Sequence, residues 1–240
     1  MYQDIYVVSA EPVRLCERIP GCRNVVIGVR ASWSVPVRVG FSFNAALLVL
    51  KARGVRVEDY DYIFKVDGDV TLPDDYLENL ISKRPLVAGF GAALLISKNF
   101  FRYALGGMYP INECDDGYVL ARSVAMTGLV VRYDGPGEVV LKGVTTIASR
   151  EIAYGEEFYK WGLPLPLLVL LPFTRLYLRL TRRMKPFQQK SLTSYFYNAV
   201  GYLRAMVNRR KRYSFHKDYA RMRVLQLYRE FTGAQGRGEL

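Results

Sequence analysis

Apolar residues along the first half of the chain gather in short runs. "DIYVVSA" (4–10) and "NVVIGVRAS" (24–32) have the length and β-branched content of strands. "FSFNAALLVLKARG" (41–54) predicts a helix, with Gly40 before it, Ser42 as its cap and Gly54 as its stop. "YDYIFKVD" (60–67) predicts a third strand. "LPDDYLENLISK" (72–83) predicts a helix, because Pro73 and two acids suit a first turn whose N–H groups lack partners. "RPLVAGFGAALLIS" (84–97) predicts a further strand region interrupted by two glycines. "CDDGYVLARSVAMTG" (114–128) predicts a helix with acids at its start and a glycine at its end. "LVVRYDG" (129–135) and "GEVVLKGVTTIAS" (137–149) predict strands. This alternation implies an α/β sheet with parallel strands, whose functional loops lie at the strand C-terminal ends.

The pattern changes after residue 160. "WGLPLPLLVLLPF" (161–173) is apolar, short and broken by three prolines, too short to span a bilayer. Three basic amphipathic helices are then predicted. The first sets Phe173, Leu176, Tyr177, Leu180 and Met184 against Arg175, Arg179 and Arg182. The second has a stripe of Phe196, Ala199, Leu203 and Met206 followed by four bases. The third is "HKDYARMRVLQLYREF". This divides the chain at 1–162 and 163–240. Residues 1–173 hold 18 Lys/Arg and 19 Asp/Glu, a balance of −1. Residues 174–240 hold 16 and 3, a balance of +13. The whole excess is C-terminal, which points to an anionic membrane surface. The RRKR run is short and no nucleic-acid module surrounds it, so nucleic acid is set aside. A helical subdomain packed on the core is the compatible alternative.

Half of the 240 residues are hydrophobic, enough for a sizeable core. Three cysteines make no disulfide framework and no metal knuckle. No basic leader precedes the first strand, so the expected location is the cytoplasm, peripheral on the inner face of the cell membrane.

Two acidic clusters carry the candidate chemistry. Asp67-Gly68-Asp69 ends a strand, and two carboxylates one residue apart suit a hard divalent cation that takes its other oxygens from phosphate and water. Asp115-Asp116 opens a helix.

Two families fit the first cluster. "DGDVT" matches the D-x-D-x-T of haloacid-dehalogenase-like phosphatases, with Asp67 as nucleophile, Asp69 as acid/base and Thr71 in place. That motif normally sits on a first strand, and here two strands precede it. The surrounding residues resemble the family 2 glycosyltransferases of GT-A fold. "GFSFNAALLVLKARGVRVEDYDYIFKVDGD" is similar to that family's stretch ending in D-x-D, with Asn44 on its asparagine. "LPDDYLENLI" resembles its Leu-Pro-x-x-Leu helix. Further on, Gly106-Gly107, Asp115-Asp116, Arg122, Gly128 and Tyr133 follow its second half in order. The resemblance covers residues 4 to 160.

The resemblance implies a GT-A fold: Rossmann-like, with a mostly parallel mixed sheet flanked by helices, here extended by the basic helices. It implies an inverting, nucleotide-sugar-dependent transfer to a hydroxyl or lipid-phosphate acceptor at a membrane surface. Asp69 and Asp67 would hold Mn²⁺ or Mg²⁺ and the donor diphosphate. Asp116 would be the general base, with Asp115 orienting it. Asn44 and Arg38, with Arg150 a weaker candidate, would serve the donor, and Gly106 and Gly107 the acceptor side. A UDP- or GDP-linked donor is left open, because the first two strands lack the family's base-reading acids and offer only Glu11. His216 lies in the basic tail and is read as a surface residue. The alternatives are the phosphatase and a non-catalytic lipid- or nucleic-acid-binding protein on the same scaffold. One geometric criterion separates the two enzymes. A transferase sets the Asp115–Asp116 helix start across a sugar-wide gap from Asp69, whereas in a phosphatase a lysine and a second acidic motif crowd Asp67.

Overall fold

A computed structural model describes residues 4–141, 148–180 and 192–232. The chain is mixed α/β. Strands β1 (Ile5–Ser9) and β2 (Cys22–Val26) pair in parallel. Helix α1 runs Val35–Ala52. Strand β3 (Tyr62–Val66) pairs antiparallel with β6 (Ala93–Ser97), which pairs antiparallel with β5 (Val87–Phe90), giving the order β3-β6-β5. Two-residue strands β4 (Val70–Thr71) and β7 (Val140–Leu141) pair antiparallel. Helix α2 (Tyr76–Ser82) covers one face of this sheet, and α3 (Asp115–Thr127) covers the other. The remaining helices are α4 (Ala148–Trp161), α5 (Leu165–Leu180), α6 (Leu192–Val207) and α7 (His216–Thr232).

Several sequence expectations change. The strands form three small sheets that are less parallel than predicted: among the described residues only β1–β2 and a single bridge between Ala88 and Val131 are parallel. The 84–97 run is a hairpin, β5 and β6, because the apolar run turns back on itself between Phe90 and Ala93. Residues 27–32 of the predicted second strand lie outside β2, and residues 129–135 supply only the bridge at Val131. The 137–149 run supplies only β7, and residues 142–147 lie outside those described. Helix α1 begins six residues before the predicted start, where Ser34 and Pro36 form a natural N-terminus with proline in the first turn. Gly40 therefore lies inside α1, against the Pro110 carbonyl. With this extension α1 becomes the one described helix long and apolar enough to cross a membrane by length and composition. Cys16 and Cys22, with Cα atoms 5.3 Å apart across the turn Arg14–Arg18, form a disulfide that the cysteine count did not anticipate.

The C-terminal helices share a core with α3. Trp161, Leu163, Leu168, Tyr202, Phe215 and Tyr219 pack with Cys114, Ala121 and Val124. Helices α4 and α6 approach so closely that a methyl added to Gly155 would meet the Asn198 carbonyl, and one added to Gly201 the Ile152 carbonyl. Polar groups fix this packing. Asn198 donates to Glu151 at 2.7 Å, and the Tyr213 hydroxyl donates to Glu157 at 2.9 Å. Helix α7 lies on α3, with Gln226 donating to the Gly128 carbonyl and Arg122 over the Phe215 ring. On α7, Tyr219 is buried and Met222 packs against this core, while Val224, Leu225 and Tyr228 stay exposed. Residues 165–173 continue into the first predicted amphipathic helix as α5, with Pro172 inside it. Met184 and Arg182 lie outside the described residues.

Candidate functional site

The site grows from the alternation of β3. Tyr62 and Phe64 face the α2 side, so Ile63 and Lys65 face α3. Lys65 is only 7% exposed. Its ammonium lies 2.7 Å from Asp67 Oδ1 and 3.0 Å from Asp116 Oδ1. The two acidic clusters, distant in sequence, meet through this lysine. Asp67 itself is fixed by its backbone N–H, which donates to the Ala92 carbonyl in the β5–β6 turn at 2.8 Å. That turn also brings Gly91 beside the Asp116 carboxylate.

Tyr109 closes the second side of Asp116, its hydroxyl donating to Oδ1. The ring is delivered by the chain around it. Residues Phe100–Ala104 form a π-helical turn, and Gly106 and Gly107 leave it with φ of 70° and 75°, a conformation only glycine adopts freely. Asn44 on α1 then brackets Tyr109. It accepts from the Tyr109 N–H at 2.7 Å and donates to the Tyr109 carbonyl at 2.8 Å. The amide of Asn44 thus holds the loop that carries Tyr109, and the double glycine makes that loop's turn.

Electrostatics separate the carboxylates. Burial raises the affinity of Asp116 for a proton, while Lys65 and the Tyr109 hydroxyl pull it back; the net direction is upward. Burial and the Asp116 charge push Asp115 up to about 7, and its buried Oδ2 has no hydrogen-bond partner. Burial works against a charged Lys65, yet Asp116 and Asp67 outweigh it and hold the ammonium above its ordinary range. Burial and the facing carboxylates keep the Tyr109 phenol protonated, so it serves Asp116 as a donor. Both acids also stand in the first turn of α3, where the helix dipole favours negative charge.

Asp69 differs from all of these. It is exposed, and its side chain makes no hydrogen bond or ion pair among the described residues. Asp67 is half-buried, with one oxygen on Lys65. No cluster of three or more His, Cys, Asp or Glu is arranged for a metal among the described residues. The open Asp69, with the second oxygen of Asp67, would suit a hard cation that draws most of its oxygens from phosphate and water, and the two do not make an all-protein cage.

Arg38 lies in the N-terminal half of α1, partly buried, with its Nε lacking a hydrogen-bond partner. Arg150 on α4 lies over the Tyr154 ring at 5.7 Å. Glu11 is exposed and its backbone carbonyl accepts from Ser9. His216 caps a turn, with Nδ1 2.8 Å from the Tyr213 carbonyl. Gly128 is the left-handed stop of α3, and the Tyr133 hydroxyl donates to Asp75 at 2.6 Å.

Sequence reasoning missed Lys65 and Tyr109. A lysine at an inward position of an apolar strand, two residues before the paired acids, was the available signal for the first. Nothing local marks the second, since Asn44 and Asp116 reach Tyr109 from separate elements. Of the features named in the sequence criterion, a lysine stands against Asp67 and joins it to Asp116, while Asp69 is exposed. Comparison with protein-family models, with curated proteins and with solved structures finds no match to this chain.

Proposed function

We propose that the protein is an inverting GT-A-type glycosyltransferase using a nucleotide-sugar donor. One observation carries this reading: the carboxylates fall into two environments. Asp116 is enclosed, held by Lys65 and Tyr109 and biased toward taking a proton, while Asp69 is open and exposed. Titratable groups pushed apart by their surroundings mark distinct chemical roles. Asp116 accepts the proton of the acceptor hydroxyl as that oxygen bonds to the anomeric carbon. The bond from that carbon to the diphosphate breaks, and its electron pair leaves with the nucleoside diphosphate. Asp69 and Asp67 would hold Mn²⁺ or Mg²⁺, which neutralises charge on the diphosphate. Lys65 fixes Asp116 opposite the attacking oxygen.

A second reading rests on the crowding of Asp67. With Lys65 at 2.7 Å and Asp116 on the far side of that lysine, Asp67 has the neighbours a phosphoryl-accepting aspartate needs. Its position on the third strand and the exposure of Asp69, the acid/base of that scheme, weigh against it.

Thermal unfolding with a panel of nucleotide sugars, with Mn²⁺ and with EDTA, separates the two. The transferase raises its Tm with one nucleotide class only when metal is present, and Asp69→Ala abolishes the rise. No nucleotide response together with turnover of a phosphate monoester overturns the transferase in favour of the phosphatase.

A further inference from the structure

Helix α6 is more apolar on its outer side than on its inner side. Ser194, Asn198, Gly201 and Ala205 lie buried, on the side that packs against α4. Phe196, Val200, Leu203, Met206 and Val207 face solvent, with Phe196 65% and Val207 75% exposed. These positions recur at the spacing of one helical face. Helix α5, packed beside α6, repeats the inversion. Leu168 and Leu171 are buried, while Leu165, Val169, Phe173, Leu176 and Leu180 form an exposed stripe. A soluble helix places its apolar arc inward. Tyr202 on α6 and Leu168 and Leu171 on α5 reach the shared core, yet both helices also leave a continuous row of large apolar side chains on the outside.

Charge says what covers these stripes. The α6 stripe ends at Val207 and runs directly into Arg209, Arg210 and Lys211, all exposed. Arg204 stands at the edge of the same stripe, its side chain 61% exposed. The region from residue 174 onward carries 16 Lys/Arg against 3 Asp/Glu. Such a density of one sign repels a second copy of the same face. An apolar stripe edged by cations is complementary to a bilayer surface, hydrocarbon meeting the acyl boundary and arginine meeting phosphate.

We infer that the outer faces of α5 and α6 form a peripheral docking surface for anionic lipid bilayers. This does not depend on the catalytic reading, and its test uses no nucleotide.

The test is flotation of the full chain with phosphatidylcholine vesicles, with and without phosphatidylglycerol. Wild type floats with the anionic vesicles and only weakly with the neutral ones. Phe196→Asp with Leu203→Asp lowers the bound fraction by about tenfold or more, because charge enters the buried arc. Arg209→Glu with Lys211→Glu lowers binding to anionic vesicles by about fivefold or more per cation and leaves weak neutral binding unchanged. Phe173→Asp with Leu180→Asp on α5 gives a second loss in case the α6 variant misfolds. Circular dichroism checks folding in each. The proposal fails if wild type floats with neither vesicle, or if none of the variants changes flotation. It also fails if wild type sediments as a dimer that the stripe variants dissociate, since a second copy would then cover the face.

Discussion

At the end of β3 the chain encloses charge, whereas on the outer faces of α5 and α6 it exposes hydrocarbon. Lys65, Asp115 and Asp116 are largely taken out of water, and the one ammonium meets two carboxylates, Asp116 and Asp67. Phe173, Phe196 and Val207 stay in water, each forgoing roughly 1.5–3 kcal/mol that burial would contribute. Both arrangements oppose the stability of the isolated chain, in opposite chemical senses. A fold tolerates such departures where something outside it restores the balance. An enclosed acid cluster asks for a reacting proton and a bound charge; an exposed apolar stripe asks for a non-aqueous neighbour. The two regions therefore respond to substitution in opposite ways.

The largest difference is expected in activity. Asp116→Asn keeps the shape of the α3 start but removes the proton acceptor. Transfer falls by about 10²–10⁴, the usual contribution of a general base. A stripe variant such as Phe196→Ser leaves the rate on a soluble acceptor unchanged. Steady-state transfer assays on both compare the regions directly.

Stability separates them next. Lys65→Met leaves Asp67 and Asp116 without their shared cation, and removing one partner of a buried pair costs about 3–5 kcal/mol. Urea titration at pH 8 measures it. The sign of its pH dependence is fixed. Without Lys65 the Asp116 carboxyl is raised further, so between its unfolded and folded pKa the native state binds more protons than the unfolded one. The loss shrinks as the pH is lowered toward 5. A loss independent of pH would mean that Lys65 acts through packing alone.

Asp115 gives a smaller, more specific effect. Its pKa is pushed from an ordinary carboxylate value to about 7, by burial first and the Asp116 charge second. A carboxyl raised in the folded state favours folding at low pH, and that contribution is lost as pH rises from about 4 through 7. Asp115→Asn has no such carboxyl. The variant is expected to gain on wild type as pH rises, by the order of a few kcal/mol at pH 8, and to match it near pH 4. Melting curves at both pH values check this; equal shifts at the two would refute it.

The sequence was legible where local chemistry alone decides structure. Residues 114–128 hold first-turn acids and a glycine stop, and α3 spans Asp115–Thr127 with Gly128 left-handed. The run ending in Asp67 reads as a strand, and β3 is one. Legibility failed where a partner decides. The 84–97 run holds two glycines, and nothing local says that Gly91 makes a hairpin turn while Gly89 stays in a strand. Helix α7 has the same amphipathic pattern as a membrane-surface helix, and pattern cannot say whether α3 or lipid meets its apolar face. Asn44 was marked for a ligand, and its amide is engaged with the Tyr109 backbone. Lys65 has an ordinary strand context until Asp116 is brought to it from a distant helix start.

The smallest effect is the sharpest test of the inverted α6. If its outer face has no protein partner, Phe196→Ser removes a ring that the fold does not use. Its unfolding free energy should stay within about 0.5 kcal/mol of wild type, as for other surface substitutions. On the inner face even one added methyl matters. Gly201→Ala drives a Cβ into the Ile152 carbonyl on α4, backbone against backbone, with no flexible side chain to yield. Overpacking of that kind costs about 1–3 kcal/mol. A single methyl inside is thus expected to outweigh a whole phenyl ring outside, reversing the order that side-chain size would suggest. Urea titrations of the two variants in vesicle-free buffer measure it. Equal losses would mean that Phe196 is covered by protein, and the contrast between the two regions would disappear.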